Sequence, residues 1–140
     1  MKFIRHIFIA LTLTATTAFA QAELVVVTNA GNSVNSIPLS QLSRIFLGQS
    51  SVYPDGSTAI PLDINGEARN QFYRDVLKKT PEQVEKYWAR MIFTGKAQPP
   101  REIKLSDVKA LVAETPGAIS YIESNKVDAS LKILKVDTSR

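Results

Sequence analysis

The stretch "ELVVVTN", Glu23 to Asn29, restricts the fold more than any other, because its centre is β-branched and apolar at every position. A strand open to water on one face alternates apolar with polar residues, whereas an unbroken apolar run marks a strand covered on both faces. A central strand with helices on either side of its sheet is therefore predicted. Three further stretches read as strands. "AIPLDI" carries Pro61, which suits a sheet edge or a strand start. "TPGAISYI" leads from a Pro-Gly turn into small and apolar residues, and "LKILKV" alternates as a half-exposed strand does.

Helices are expected between them. In "IPLSQLSRIFLGQ", Leu39, Leu42 and Phe46 share one face, and Gly48 is placed to end the helix in a left-handed turn. "YPDGS" is a turn by chemistry. Ala68, Phe72 and Val76 make the buried stripe of a helix from about Glu67 to Lys78. Thr80 and Gln83 around Pro81 have the spacing of a capping box with proline at the first helical position. In the helix so started, Val84, Tyr87, Trp88 and Met91 recur at i, i+3, i+4 and i+7, a core stripe or a stacking surface for a ligand, and Gly95 ends it. "KAQPPREIK" reads as a proline-stiffened connection. Ser106 is placed to cap a short helix that turns Val108, Leu111 and Val112 inward. The order strand, helix, strand, three helices, strand, strand describes an α/β fold, a layered sheet flanked by helices.

The N-terminus stands apart from this pattern. Lys2, Arg5 and His6 precede an apolar run from Ile7 to Phe19 that ends in small residues, the make-up of a secretory signal peptide cleaved after Ala20. Residues 1–20 are thus read as a leader and 21–140 as one domain, exported to the periplasm. The 13 apolar residues are too few for the ~20 that a bilayer span requires. Without the leader, fifteen Lys and Arg face thirteen Asp and Glu, and they are scattered, so nucleic acid is not an expected partner. The chain has no cysteine, and its one histidine, His6, lies in the leader. Imidazole relays, thiolate nucleophiles and His or Cys metal sites are thereby excluded from residues 21–140. No cofactor is called for, and an enzyme reading lacks a constellation to carry it.

Two polar turns could meet an anion. "AGNSVNS" follows the first strand, where Gly31 and two asparagines, Asn32 and Asn35, can adopt positive φ and turn amides outward. In "PLDINGEARNQFYRDVL" a strand end runs through a short turn into a helix, and a helix N-terminus presents unpaired amides and about half a positive charge. Asn65, Gly66, Glu67, Ala68 and Arg69, with Asn29, are the candidate anion contacts.

At "LSQLSRIFLGQ", "YPDGSTAIPLDI", "YWARMIFTGKAQPP" and "VAETPGAISYI" the chain resembles the periplasmic phosphate-binding-protein-like family, the substrate-binding components of phosphate ABC transporters. The motifs run in order over about residues 24 to 123. The resemblance implies one lobe of a type II periplasmic binding fold, whose full-length members close two lobes on phosphate. It places the family's second-lobe phosphate loop at the turn before Arg69. Registered on Arg69 and Phe72, that loop reads Gly66, Glu67, Ala68, Arg69 where the family has Ser-Gly-Thr-Arg, and Leu62, Asp63 and Ile64 fill the region of an earlier arginine. The hydroxyl donors are gone, and Glu67 brings a carboxylate.

Two functions follow from the resemblance. One is a solute-binding module that holds phosphate or a related anion without chemistry, its cleft completed by a second copy of the chain or by a transporter partner. The other is an interaction or sensory module that keeps the fold, has lost the ligand and contacts a membrane partner.

Overall fold

A computed structural model describes residues 23–139; the leader expected over 1–20 lies outside the described residues. The elements run β1 (Leu24–Asn29), β2 (Ser36–Pro38), α1 (Leu39–Phe46), β3 (Ile60–Ile64), α2 (Glu67–Asp75), α3 (Pro81–Thr94), β4 (Arg101–Ile103), α4 (Val108–Glu114), β5 (Ala118–Glu123) and β6 (Leu131–Asp137). They build one six-stranded sheet in the order β2-β6-β1-β5-β3-β4. β1 is central as expected and runs antiparallel to both neighbours, while β2 with β6, and β3 with β5 and β4, pair in parallel. Five strands therefore point one way and β1 the other.

The register shows how the layers form. Val26 lies opposite both Tyr121 and Leu134, so these three share a face. On that face Phe72 of α2 stacks on Tyr121, with centroids 3.8 Å apart and planes 7° from parallel, and Phe46 of α1 closes on Phe72 at 5.0 Å. α4 covers the other face, burying Val108 and Val112. All three aromatic side chains are fully buried. Burying rings of this size supplies much of the apolar burial in a core without a disulfide.

Local chemistry sets the boundaries. The Thr80 hydroxyl accepts the Gln83 N–H while the Gln83 side chain accepts the Thr80 N–H, so the expected capping box is formed, and Gly95 ends α3 in the left-handed region. Val84 and Trp88 are buried and Tyr87 and Met91 half-buried, so the α3 stripe is core. At the head of β5, Gly117 has φ +83, and a Cβ there would lie 2.5 Å from the Thr58 carbonyl oxygen. That close approach lets Ile60 N–H reach the Gly117 carbonyl and join β3 to β5.

Several expectations are corrected. Residues 36–38 and 101–103 form short edge strands, where the end of a polar loop with the start of a helical stretch, and a plain connection, were read; three residues are too few to show a period, and only pairing with β6 and β3 makes them strands. Of the two places read for Pro61, the strand start holds and the sheet edge does not: it stands at the start of β3, inside the sheet, and its missing N–H does no harm because β4 pairs only from Leu62 onward. α2 ends at Asp75, before Lys78. Ser106 does not cap α4, because a 3-10 turn over Leu105–Asp107 takes its place.

Candidate functional site

In open α/β sheets ligands sit outside the carboxyl ends of the parallel strands. At that edge β3 ends in Ile64 and the chain turns through Asn65 and Gly66 into α2. Gly66 has φ +90 and ψ −156, a combination open essentially to glycine alone, and no side chain caps the helix. A Cβ at Gly66 would meet nothing within 4 Å, so the turn faces open space. The amides of Arg69 and Asn70 close back on the Gly66 carbonyl, at 3.2 and 3.4 Å. Those of Glu67 and Ala68, ahead of them in the first turn, have no carbonyl one turn back within the helix.

Arg69 is turned the other way. Its Nε lies 3.3 Å from Oδ2 of Asp63, and its guanidinium sits 5.3 Å from the centre of the Tyr73 ring. The Nε–H does not line up as a hydrogen bond, so the contact is one of charge. Burial alone would lower the Arg69 pKa, but the Asp63 carboxylate, with Tyr73 and Glu102, raises it. Glu67, exposed at the mouth, takes the Asn70 amide at 3.4 Å and lies 3.9 Å from Arg74.

The centre of this arrangement is Asp63, a buried carboxylate on β3. Tyr73 donates to Oδ2 at 2.8 Å, and Tyr121 to Oδ1 at 2.5 Å, where the Ile64 N–H also arrives at 3.0 Å. Three donors and one cation therefore satisfy a charge that would be very costly unpaired. Burial, reinforced by the Asp63 charge, pushes both phenols well above the ordinary tyrosine range and keeps them protonated as donors. Sequence reasoning missed this cluster. Its signal was a single carboxylate in the apolar strand "PLDIN", which must have partners if the strand is covered. Beside Arg69 opens a groove of about 520 Å³ that Glu85 and Glu102 also line. With Arg69 committed to Asp63, the groove's charge disfavours an anion.

Asn29 is separated from the other candidates. Because β1 runs against β5, and β5 runs with β3, the end of β1 lies at the opposite edge of the sheet from Asn65–Arg69. A strand of five residues spans about 16 Å. The Asn29 amide donates to the Val112 and Ala113 carbonyls at 3.0 and 2.8 Å, closing the C-terminus of α4. Its oxygen accepts the Gly31 N–H, and the Asn32 oxygen accepts that of Val34, so two amides of this loop turn onto its own side chains. Neither Gly31 nor any asparagine there adopts positive φ. The loop borders a separate depression of about 490 Å³ with Tyr53, Ser57 and Gly117. Among the described residues there is no cluster of three or more His, Cys, Asp or Glu placed to hold a metal ion, and no helix is long and apolar enough to cross a membrane.

The fold is similar to that of three solved structures. One, from Clostridium perfringens and with bound phosphate, is described as a phosphate ABC transporter substrate-binding protein (TM-score 0.65, 18% identity, 85% of this chain and 46% of that one). The second is an ABC-type phosphate transport receptor from Vibrio cholerae (TM-score 0.64, 18% identity, 85% and 48%). The third is PstS from Borrelia burgdorferi (TM-score 0.62, 16% identity, 85% and 49%). This chain spans about half the length of each. No family model matches the sequence, and no curated protein does. At these identities the likeness is one of fold: a six-stranded α/β lobe of the kind found in phosphate-binding proteins.

Proposed function

We propose that this protein is an exported, periplasmic solute-binding module that holds a small anion, phosphate or a related oxyanion, without chemistry. The observation that carries the proposal is the uncapped start of α2, open to space at the carboxyl edge of the sheet. In this reading the backbone amides of Glu67 and Ala68 and the helix dipole attract the ligand, Gly66 and Asn65 shape the turn, and Arg69 contributes charge from behind while held by Asp63. Glu67 opposes a doubly charged ligand, so a second surface is required: another copy of the chain or a transporter component facing the turn. Asn29 takes no part.

Equilibrium dialysis with labelled phosphate, run alongside light scattering, tests this. Retention that rises as the chain self-associates is the expected result. A chain that retains no phosphate at millimolar concentration, as monomer or as oligomer, refutes a site completed by a second copy, and absence of retention when the transporter component is also present refutes the anion site itself.

A second reading has its own observations: Arg69 is locked inward, and at the end of α3 Phe93 is 92% exposed beside Ile92 at 59%. Such apolar exposure suits a module that has lost its ligand and meets a membrane partner through its surface. Under this reading no anion is retained, and Phe93→Ser disrupts partner capture while leaving the melting temperature unchanged.

A further inference from the structure

The strongest unassigned feature is the polar side of α3. Gln83, Lys86, Tyr87 and Arg90 recur at i, i+3, i+4 and i+7, so they line one face of the helix. The chain after α1 packs across that face, and together they enclose a cleft of about 540 Å³ lined also by Gln49 and Lys79. Buried Leu47 and half-buried Tyr87 contribute its apolar lining.

Three properties suit this cleft to an anion. First, its charge is of one sign: Lys79, Lys86 and Arg90 line it, no Asp or Glu does, and among the described residues none of the three forms an ion pair. Second, its neutral polar groups are held in place. Tyr87 donates to the Leu47 carbonyl at 2.6 Å, Gln49 donates its amide to the Tyr87 oxygen at 3.3 Å, and the Gln83 oxygen is fixed by the Thr80 N–H at 2.9 Å. The capping contact uses the Gln83 oxygen and leaves its NH₂ group as donor. Third, Lys79 is brought in by a constrained backbone: Lys78 has φ +58, the one non-glycine residue at positive φ among those described, and the Lys79 N–H bonds the Tyr73 carbonyl at 2.8 Å.

We propose that this cleft is a second anion site, distinct from the α2 turn, and that it takes a small ligand carrying several negative charges, of the polyphosphate or phosphorylated-metabolite class. Three cations and two carboxamide donors match an oxyanion chain better than a single phosphate. The volume lies within the range of small-molecule pockets. A reporter stands next to the cleft: Tyr87, in its lining, packs at 5.0 Å, edge to face, on Trp88, the chain's one tryptophan, which itself lines the groove beside Arg69.

The test is a titration of the ¹⁵N-labelled chain with sodium tripolyphosphate and, separately, with inorganic phosphate, at physiological ionic strength, with Trp88 fluorescence followed in parallel. The expected result is a saturable shift of the Gln49 and Gln83 side-chain amides and of the Lys86 and Arg90 backbone. Tripolyphosphate should bind at least roughly tenfold more tightly than phosphate. The exposed pair Lys86→Glu and Arg90→Glu should lose this binding while keeping the wild-type circular dichroism and melting temperature. Three results overturn the proposal: shifts that drift without saturating across all lysines, shifts confined to Gly66–Arg69, or binding unchanged in the charge-reversed double variant. If that variant fails to fold, Gln49→Ala and Gln83→Glu serve in its place, the latter keeping the capping oxygen; unchanged affinity in both overturns the site.

Discussion

Replacing Arg69 with methionine separates an arginine that grips ligand from one that neutralises a buried carboxylate. At 3.3 Å and an effective dielectric constant near 20, the attraction between Arg69 and Asp63 is about 5 kcal/mol before any cost of burial. Breaking a buried pair from one side typically costs about 3–5 kcal/mol, because the other charge is stranded. Here the loss should fall at or below the lower end, about 2–3 kcal/mol, since Asp63 keeps the donors of Tyr73, Tyr121 and Ile64 and the Arg69 side chain is 28% exposed. Methionine preserves most of the apolar stem, so lost packing adds little. The assay is urea unfolding followed by Trp88 fluorescence, for wild type, Arg69→Met, Asp63→Asn and the double variant. A coupling of about 1–2 kcal/mol is expected between the two sites. It should persist in high salt, where pairs formed in open solvent fade. Coupling near zero, with Arg69→Met as stable as wild type, would refute the pairing and return Arg69 to the solvent as a ligand-gripping side chain.

Three other outcomes follow. Burial and the Asp63 charge raise the pKa of Tyr73 and Tyr121, so both states are protonated below pH 10 and only the unfolded chain gains by ionising above it. These two phenols should therefore add no pH dependence between neutral pH and about 9, and together should cost about 3 kcal/mol of stability by pH 11, with the tyrosinate absorbance of the pair appearing only on unfolding. Lys78→Gly should stabilise by about 0.5–1 kcal/mol in thermal melts, because φ +58 costs a lysine what it does not cost a glycine; a loss of stability would show that the lysine stem packs. Trp88→Ala should destabilise by about 3–5 kcal/mol, since the ring is 5% exposed and packs on Tyr87 and near Gly48; an unchanged melting curve would contradict its place in the core.

Much of the fold was legible because it rests on local rules. The unbroken run of β1, the capping box at Thr80 and Gln83 and the stripe of α3 are each decided within a few residues, and each is present. The short strands β2 and β4 were not legible, because three residues carry no period and exist as strands only through partners about a hundred and about forty positions away in the chain. The candidate site divided the same way. The turn at Gly66 and the start of α2 were read correctly as backbone, from residue types and spacing. What Arg69 does was not, because its partner Asp63 is presented by the strand, and the donors that fix Asp63 come from α2 and from β5, 58 residues downstream.

The sequence by itself determined an α/β layer with β1 inside it, no thiol or imidazole after His6, and a turn running into a helix start after β3. Hydrophobic period, caps and composition are properties of neighbouring residues, and they suffice for that. Only the tertiary structure decided the direction of Arg69, the parting of Asn29 from the α2 turn by the length of the sheet, and the meeting of Lys79 with Lys86 and Arg90 across one cleft. The reason is physical: charge acts through space over a few ångströms, so its partners are set by strand order and helix packing, which no local pattern records.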